Sequence, residues 1–262
     1  MIYVCLPSRD EAETVGLVLW KVRKVFEELG REYHALVVDD GSQDYSSEVL
    51  EQYGSVVPLS LKRHPTPRGY RATVEELLRD ALDMSDRHRR DYAILMHADF
   101  THGPEFLADF VRRMDSGADI VVGQARVPDT LSRGYRWARK WGAFILRRSV
   151  KVDQVGDPTS GFLGFRLAVL KPVFEPNEPV LVTEGWSANA GLLGMASIHA
   201  RRIETVPFAE RHDLKSRASR IDPWSEIRGL WRSRKAVRRV VAAHRAAPRA
   251  VKRRPKEVKG AT

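Results

Sequence analysis

Tyr92-Ala-Ile-Leu-Met-His97-Ala98-Asp99-Phe100-Thr101-His102-Gly-Pro104-Glu105 is the stretch on which the reading of this chain turns. Residues 92–96 form a short apolar run of the kind found in strands buried on both faces. The run breaks abruptly into a polar cluster, and Pro104 then opens a helix, a favoured place for proline. Such a strand delivers His97 and Asp99 to its C-terminal edge, where open α/β sheets bind ligands. If the strand continues, the i, i+2 spacing turns both side chains to one face, where an imidazole and a carboxylate could share a cation. The competing reading is a strand end capped by ordinary loop polars.

Working outward, the same alternation recurs. Ile2-Tyr-Val-Cys-Leu6 reads as the first strand, followed by a helix over 11–29 that stops at Gly30, a good C-terminal cap. A strand at 35–38 runs into Asp39-Asp40-Gly41-Ser42-Gln43-Asp44. A helix over 46–53, a strand over 56–61, the basic turn-rich loop 62–71 and a helix over 72–84 lead to the opening element. A helix over 104–114 and a strand at 119–122 follow. Apolar strands alternating with helices predict an α/β fold, a mostly parallel sheet covered by helices on both faces. Beyond this point the spacing predicts helices over 131–150 and from Thr183-Glu184-Gly185-Trp186 to about 193, one more strand or pair over 198–208, and a last helix over 224–246 begun by Asp222-Pro223. Disorder is expected from Pro248 onward.

The chain has 262 residues, 43% of them hydrophobic, enough for one large core with or without an appendage. Its one cysteine, Cys5, lies in the first apolar run and reads as core packing in a reducing compartment. No apolar run approaches the ~18 residues of a membrane span, and no leader pattern opens the chain. Charge is unevenly placed. Residues 211–262 hold 17 Lys and Arg against 4 Asp and Glu, a net of +13, whereas the rest carries −3, which gives the overall +10. Inferences from the basic balance therefore concern the tail alone.

Four acidic features fall at strand ends that such a sheet gathers on one edge: Asp10-Glu11, Asp39-Asp40, His97/Asp99 and Asp157. Crowded carboxylates repel, so a site of this kind usually holds a divalent cation balanced by phosphates. Arg68, Arg71, Arg126, Arg136 and Arg211 are suited to contact those phosphates. There is no G-x-G-x-x-G after the first strand and no Walker A sequence, which argues against dinucleotide and P-loop chemistry.

Leu6-Pro-Ser-Arg-Asp-Glu11-Ala-Glu, Val37-Val-Asp-Asp-Gly-Ser-Gln-Asp44, His97-Ala-Asp-Phe-Thr-His-Gly-Pro-Glu105 and Asp157-Pro-Thr-Ser-Gly-Phe162 occur in order and at suitable spacing. Together they resemble the family 2 glycosyltransferases of GT-A (Rossmann-like) fold, most closely the dolichol-phosphate or polyprenol-phosphate mannosyltransferase group, over residues 1–217. The resemblance implies a transferase domain at 1–217, and charge and composition add a basic amphipathic helix and disordered tail at 218–262. It implies that Pro7, Glu11, Asp39, Asp40, Ala98 and Arg136 stand around the nucleotide-sugar. Asp99 matches the second Asp of the family's D-x-D metal motif, with His97 at the first, and a divalent metal, Mn²⁺ or Mg²⁺, is the implied cofactor. Arg211 matches a phosphate-binding arginine, and Asp157, Ser160 and Gly161 match the acceptor side. This sequence departs from the family at His97, at Thr101 and Asp10, at Tyr70 in place of a lysine, at Leu214-Lys-Ser-Arg217, and at Ala125 with Arg126 one residue late.

The implied reaction is inverting transfer of a hexose from a GDP- or UDP-linked sugar to a polyprenyl phosphate. A phosphate acceptor, with a second pKa of about 6, needs no general base. A sugar hydroxyl would need one, and Glu184 is the candidate, unless it only serves a helix N-terminus. The helix over 131–150 mixes Tyr135, Trp137, Trp141 and Phe144 with arginines. It is either buried by its aromatic face or laid at a membrane interface. The last helix and basic tail support the latter. Members of the group often carry transmembrane helices beyond this point, and the tail is expected to act as a peripheral anchor to an anionic membrane in their place, on the cytoplasmic, inner face. No nucleic-acid recognition motif accompanies the tail, so no specific nucleic acid is expected. The rival readings are a glycosyltransferase acting on a glycan hydroxyl, a non-catalytic nucleotide-sugar binder, and, less well supported, a nucleotidyltransferase. His34, His64, His88, His199, His212 and His244 read as surface or loop residues.

Overall fold

The computed structural model describes residues 1–126, 128, 133–176, 178–211 and 223–252. Seven strands form one sheet in the order β3-β2-β1-β4-β6-β5-β7. The strands are β1 (Ile2–Ser8), β2 (Tyr33–Asp39), β3 (Leu59–Arg63), β4 (Tyr92–Leu95), β5 (Ile120–Arg126), β6 (Leu163–Arg166) and β7 (Ile203–Ala209). Only β6 runs antiparallel, to both of its neighbours. The helices are α1 (Val15–Leu29), α2 (Ser46–Tyr53), α3 (Tyr70–Met84), α4 (Leu107–Asp115), α5 (Arg133–Val150), α6 (Leu167–Phe174), α7 (Gly185–Ala196) and α8 (Pro223–Lys252). The expected mostly parallel α/β architecture is the one observed.

Residues of each strand alternate between two cores, as the pleat requires. Ile2, Val4 and Leu6 join α1 and α4 on one face, and Tyr3 and Cys5 join α3 and α5 to α8 on the other. Cys5 is fully buried, and burial pushes its thiol pKa well up, consistent with a packing role. In α1 the side chains of Val15, Val18, Leu19, Val22 and Phe26 are buried at helical spacing. Each is worth about 1.5–3 kcal/mol of transfer from water. Left-handed Gly30 (φ 59°) then ends the helix.

Several boundaries differ from the sequence reading. Residues 11–14 make a turn in which Glu11 accepts from the Thr14 amide and hydroxyl, so α1 starts at Val15 rather than 11. The amides of Val56 and Val57 finish α2 by bonding Tyr53, and Pro58 has no N–H to give, so β3 starts at Leu59 rather than 56. β5 runs on to Arg126 because β7 pairs with it throughout that length. The last strand is single, and α8 reaches Lys252 instead of stopping at 246. Leu131 and Ser132, the Asp222 cap, His212, the Leu214–Arg217 segment and residues 253–262 lie outside the described residues.

α8 packs into the same core as the sheet. Leu230, Val237 and Val241 are buried there. Glycines admit it: a Cβ on Gly142 of α5 would stand 3.0 Å from Leu230, and one on Gly194 of α7 would stand 2.7 Å from Val241. Among the described residues no helix is long and apolar enough to cross a membrane.

Candidate active site at the C-terminal edge of the sheet

The chain builds β1, β2 and β3 outward, then returns to lay β4 against the other side of β1. A crevice at such a reversal is where open α/β sheets bind ligands. The register deepens it. β1 pairs with β2 as far as Ser8↔Asp39, but with β4 only to Cys5↔Leu95. Met96 makes one last bond to Cys5, and residues 97–99 then leave the sheet early and wall a cavity of about 320 Å³. This corrects the continuing-strand argument for His97 and Asp99: both side chains reach the cavity from a loop. The turn is sharp, with Phe100 buried in the left-handed region (φ 62°), and strain of that kind clusters at functional sites.

Pro7, Glu11, Asp40, His97, Ala98 and Asp99 all line this cavity. Tyr70 of α3 and Trp186 and Asn189 of α7 form the rest of the wall relevant here. The hydroxyl of Ser8, also in the lining, and the buried hydroxyl of Thr101 find no hydrogen-bond partner among the described residues. Buried polar atoms without partners mark a place a polar ligand can satisfy.

Asp40 is held on three sides. Its Oδ1 accepts from the His64 ring (2.8 Å) and the Arg68 amide (2.7 Å), and its Oδ2 accepts from the Gly69 amide (2.9 Å). Burial works against its charge, but these bonds outweigh it and hold the carboxyl below its ordinary value. Asp39 does not line the cavity. It is fully buried, and its carboxylate accepts from the Ser42 amide and hydroxyl and from Ser47 (2.6 Å), so it pins the Asp-Asp-Gly-Ser turn. Asp10 likewise accepts from the Gln43 amide at 2.8 Å.

Asp99 accepts from the Thr101 amide at 3.0 Å. The His97 amide donates to His102 Nδ1 at 3.0 Å, and the two rings pack 4.4 Å apart. Gly161 lies under His97: a Cβ there would stand 2.7 Å from Nε2. Antiparallel β6 is what brings the Asp157–Gly161 loop to this edge, since its N-terminus meets the C-terminal ends of β4 and β5. Ser160, nearly fully buried, accepts from the Phe162 amide at 3.2 Å.

Asp157 faces elsewhere. Its Oδ2 pairs with Arg139 at 2.8 Å, and Arg139 also reaches Glu210 (3.1 Å), Thr159 (2.8 Å) and the face of Trp186 (5.1 Å). Burial disfavours the Arg139 charge, yet the two carboxylates overcome this and raise its pKa. This buried arginine ties α5, the loop before β6, the end of β7 and the cavity wall together. The sequence reading counted Arg139 only among the arginines of an amphipathic helix. No local signal announced it, because its partners are 18 and 71 positions away. Arg211 follows Glu210, and its amide donates to the Thr101 carbonyl at 3.3 Å, beside the Asp99 loop. Arg136 lies half-buried on α5, away from the cavity lining. Arg68 and Arg71 are engaged with Glu76 (3.0 Å) and Glu184 (3.2 Å).

Glu184 caps a helix, but not its own. Its carboxylate accepts the Arg71 amide (3.0 Å) in the first turn of α3 and the Arg71 Nε (3.2 Å). His64 departs most from the sequence reading. It is buried rather than on the surface, wedged between Asp40 and Glu76. Among the described residues no group of three or more His, Cys, Asp or Glu is arranged to hold a metal.

The family model described as "Glycosyl transferase family 2" matches residues 3–174. The chain is 25% identical over 177 residues to a dolichol-phosphate mannosyltransferase of Pyrococcus furiosus, covering 66% of this chain and 48% of that protein. It is 27% identical over 179 residues to a polyprenol monophosphomannose synthase of Mycolicibacterium smegmatis, covering 65% and 63%. The matched stretch thus spans less than two thirds of either relative. Among solved structures, glucosyl-3-phosphoglycerate synthase from Mycobacterium tuberculosis, in complex with Mn²⁺ and UDP-glucose, superposes with a TM-score of 0.62 at 18% identity, covering 94% of this chain and 79% of that one. That likeness speaks to the fold, which is GT-A. Sheet order, crevice and a family match over more than half of the sequence agree, and the chain belongs to the family 2 glycosyltransferases.

Proposed function

We propose that this glycosyltransferase moves a hexose, with inversion, from a GDP- or UDP-linked sugar to a polyprenyl phosphate at a membrane surface. An acceptor phosphate oxygen attacks the anomeric carbon, the bond from that carbon to the diphosphate oxygen breaks, and the nucleoside diphosphate leaves with the electron pair. The observation that carries the choice of acceptor is the engagement of Glu184. Its two carboxylate oxygens take the Arg71 amide and guanidinium, whereas a phosphate acceptor, ionised at neutral pH, needs no base. The prenyl-phosphate chemistry in the relatives' names supports the same reading.

In this reading Pro7, Glu11, Asp40 and Ala98 border the nucleotide, and Asp39 shapes the turn beneath it. Arg211, beside the Asp99 loop, balances the diphosphate, and Ser160 and Gly161 border the acceptor, with Asp157 fixing their loop through Arg139. His97 and Asp99, which both line the cavity, would hold a divalent cation through a ring nitrogen and a carboxylate oxygen, and as a mixed donor set they suit Mn²⁺ better than Mg²⁺. When bound, the metal would offset charge on the leaving group.

In this reading residues 1–217 are the transferase unit, and 218–262 is a basic element whose helix α8 packs into that unit's core. α5 has no acidic residue and α8 only Glu226. Between them Trp141, Phe144 and Trp231 stand exposed, bordered by Arg148, Arg234 and Arg238. Aromatics with basic neighbours suit an anionic headgroup layer, and this supports a peripheral contact with a membrane, whose inner face is the one proposed. Sedimentation with phosphatidylglycerol vesicles but not with neutral ones is expected, and equal recovery with both would remove the membrane contact.

The activity test offers GDP- and UDP-sugars with Mn²⁺ or Mg²⁺ to a short polyprenyl phosphate, with Asp99→Ala alongside. Transfer to the lipid phosphate that is lost in the variant is expected. Transfer only to a glycan hydroxyl would overturn the acceptor and bring Glu184 back as base.

A further inference from the structure

We propose that His64, as an imidazolium, is a positioning residue that latches the wall of the nucleotide-sugar pocket through Asp40; the inference rests on that pocket being the sugar-donor site. The ring is buried, and each nitrogen faces a carboxylate oxygen: Nδ1 lies 2.8 Å from Asp40 Oδ1 and Nε2 2.9 Å from Glu76 Oε2. A neutral imidazole has one N–H, so one of these contacts would set a ring lone pair against an anionic oxygen. Two protons on the ring satisfy both. Both carboxyls are held below their ordinary values, against the opposing effect of burial, which keeps them acceptors.

The surrounding charges are consistent with this. Arg68 Nη1 stands 3.4 Å from Nε2, a contact that would suit a neutral ring, but the Glu76 oxygen is nearer. Arg68 and Lys62 (3.5 Å) both pair with Glu76, and Lys62 also pairs with Asp80 at 2.6 Å. On the β2 side Arg63 lies 3.7 Å from Asp39. With the ring counted as a cation, His64, Lys62, Arg63 and Arg68 thus meet Asp39, Asp40, Glu76 and Asp80, four charges against four.

The consequence reaches the cavity. The Asp40 oxygens that take the His64 proton and the Arg68 and Gly69 amides fold loop 64–69 over the end of β2. The fit is close, since a Cβ on Gly41 would stand 2.8 Å from the Pro67 nitrogen. Gly69 and Tyr70 from this loop and helix start, together with Asp40, are cavity wall. Losing the ring that bridges Asp40 and Glu76 loosens that wall, so affinity for the nucleotide falls while the reacting groups stay in place.

Three readouts on the full chain test this. Long-range ¹H–¹⁵N spectra without ligand should show His64, assigned by its loss in His64→Gln, with both ring nitrogens protonated near neutral pH. Glu76→Gln removes one carboxylate, so a neutral ring then suffices, and the His64 pattern should become that of a single tautomer. Hydrogen exchange compared at one pH should be faster at the Arg68 and Gly69 amides in His64→Gln. UDP and GDP titrations, and the donor KM once a donor is known, should weaken roughly tenfold in His64→Gln with kcat little changed. A neutral ring in the wild type, or exchange and nucleotide affinity unaltered by His64→Gln, overturns the latch. Should His64→Gln fail to fold, the wild-type spectrum and Glu76→Gln decide. Should neither nucleotide bind the wild type, the sugar-donor reading of the pocket fails, and the spectrum and exchange still judge the latch.

Discussion

The two halves of the sheet hold their polar groups differently. In the β1–β2 half short-range turns carry much of the load, and hydrogen bonds from the Asp10–Ala12 segment then lock the two turns together. Asp39 takes Ser42 and Ser47, and Asp44 takes the Ser46 amide and hydroxyl, all within eight positions. In the β5–β7 half the equivalent work falls to one buried arginine. Arg139 gathers Asp157 and Glu210 from separate segments and stacks on Trp186 from a third. Short-range turns form wherever their own few residues occur. A long-range ion pair exists only after the sheet has assembled, and it has paid for its desolvation by good geometry.

The difference can be broken most forcefully at Arg139. Arg139→Met should cost about 3–5 kcal/mol in denaturant unfolding, because it leaves the buried Glu210 and half-buried Asp157 carboxylates without their cation. Arg139→Lys should recover only part of that, since one ammonium cannot reproduce the guanidinium fork. A loss below 1 kcal/mol would mean that the second half is not held this way. In the first half Ser47→Ala should cost about 1.5–3 kcal/mol by removing a hydrogen bond to the buried Asp39 carboxylate. Gly161→Ala probes where the halves meet. Its new methyl falls 2.7 Å from His97 Nε2, an overpacking worth about 1–3 kcal/mol, and transfer activity should fall with it.

Acid sharpens the comparison by a graded route. Asp40, Glu76 and Asp91 in the first half and Asp119 in the second are all held below ordinary carboxylate values, despite burial, by hydrogen bonds and cations. A depressed folded-state pKa contributes stability that is present above the unfolded value, about 4, and lost as pH falls through the folded one. The unfolding midpoint should therefore hold from pH 7 to about 5 and drop below 4. Exchange protection should be lost first around β1 to β4, where three of the four lie. The smallest expected effect on stability is that of Trp231→Ala, within about 0.5 kcal/mol for an exposed side chain. Its vesicle binding should nevertheless fall clearly.

The site was legible where it is local. The Asp39–Asp44 turn, the acidic strand ends and the motif order carried the family, and Pro7, Glu11, Asp40, His97, Ala98 and Asp99 do line one cavity. Glu184 was legible as a helix-start carboxylate, and α3 as a helix, but that Glu184 caps α3 was not. His64 sits in a loop rich in proline and arginine, a setting that reads as exposed, and its burial depends on Asp40 and Glu76, 24 and 12 positions away.

The sequence by itself determined the β-α alternation, the two-sided burial of the strands and the family, because apolar periodicity and short turns are encoded by neighbouring residues. The tertiary structure decided the rest: that β6 reverses direction and so brings Asp157 to Gly161 to the edge, that Arg139 replaces local turns as the fastener of the second half, and that His64 stands between two carboxylates. Those outcomes depend on which distant segments become neighbours, and burial then fixes which charges must meet.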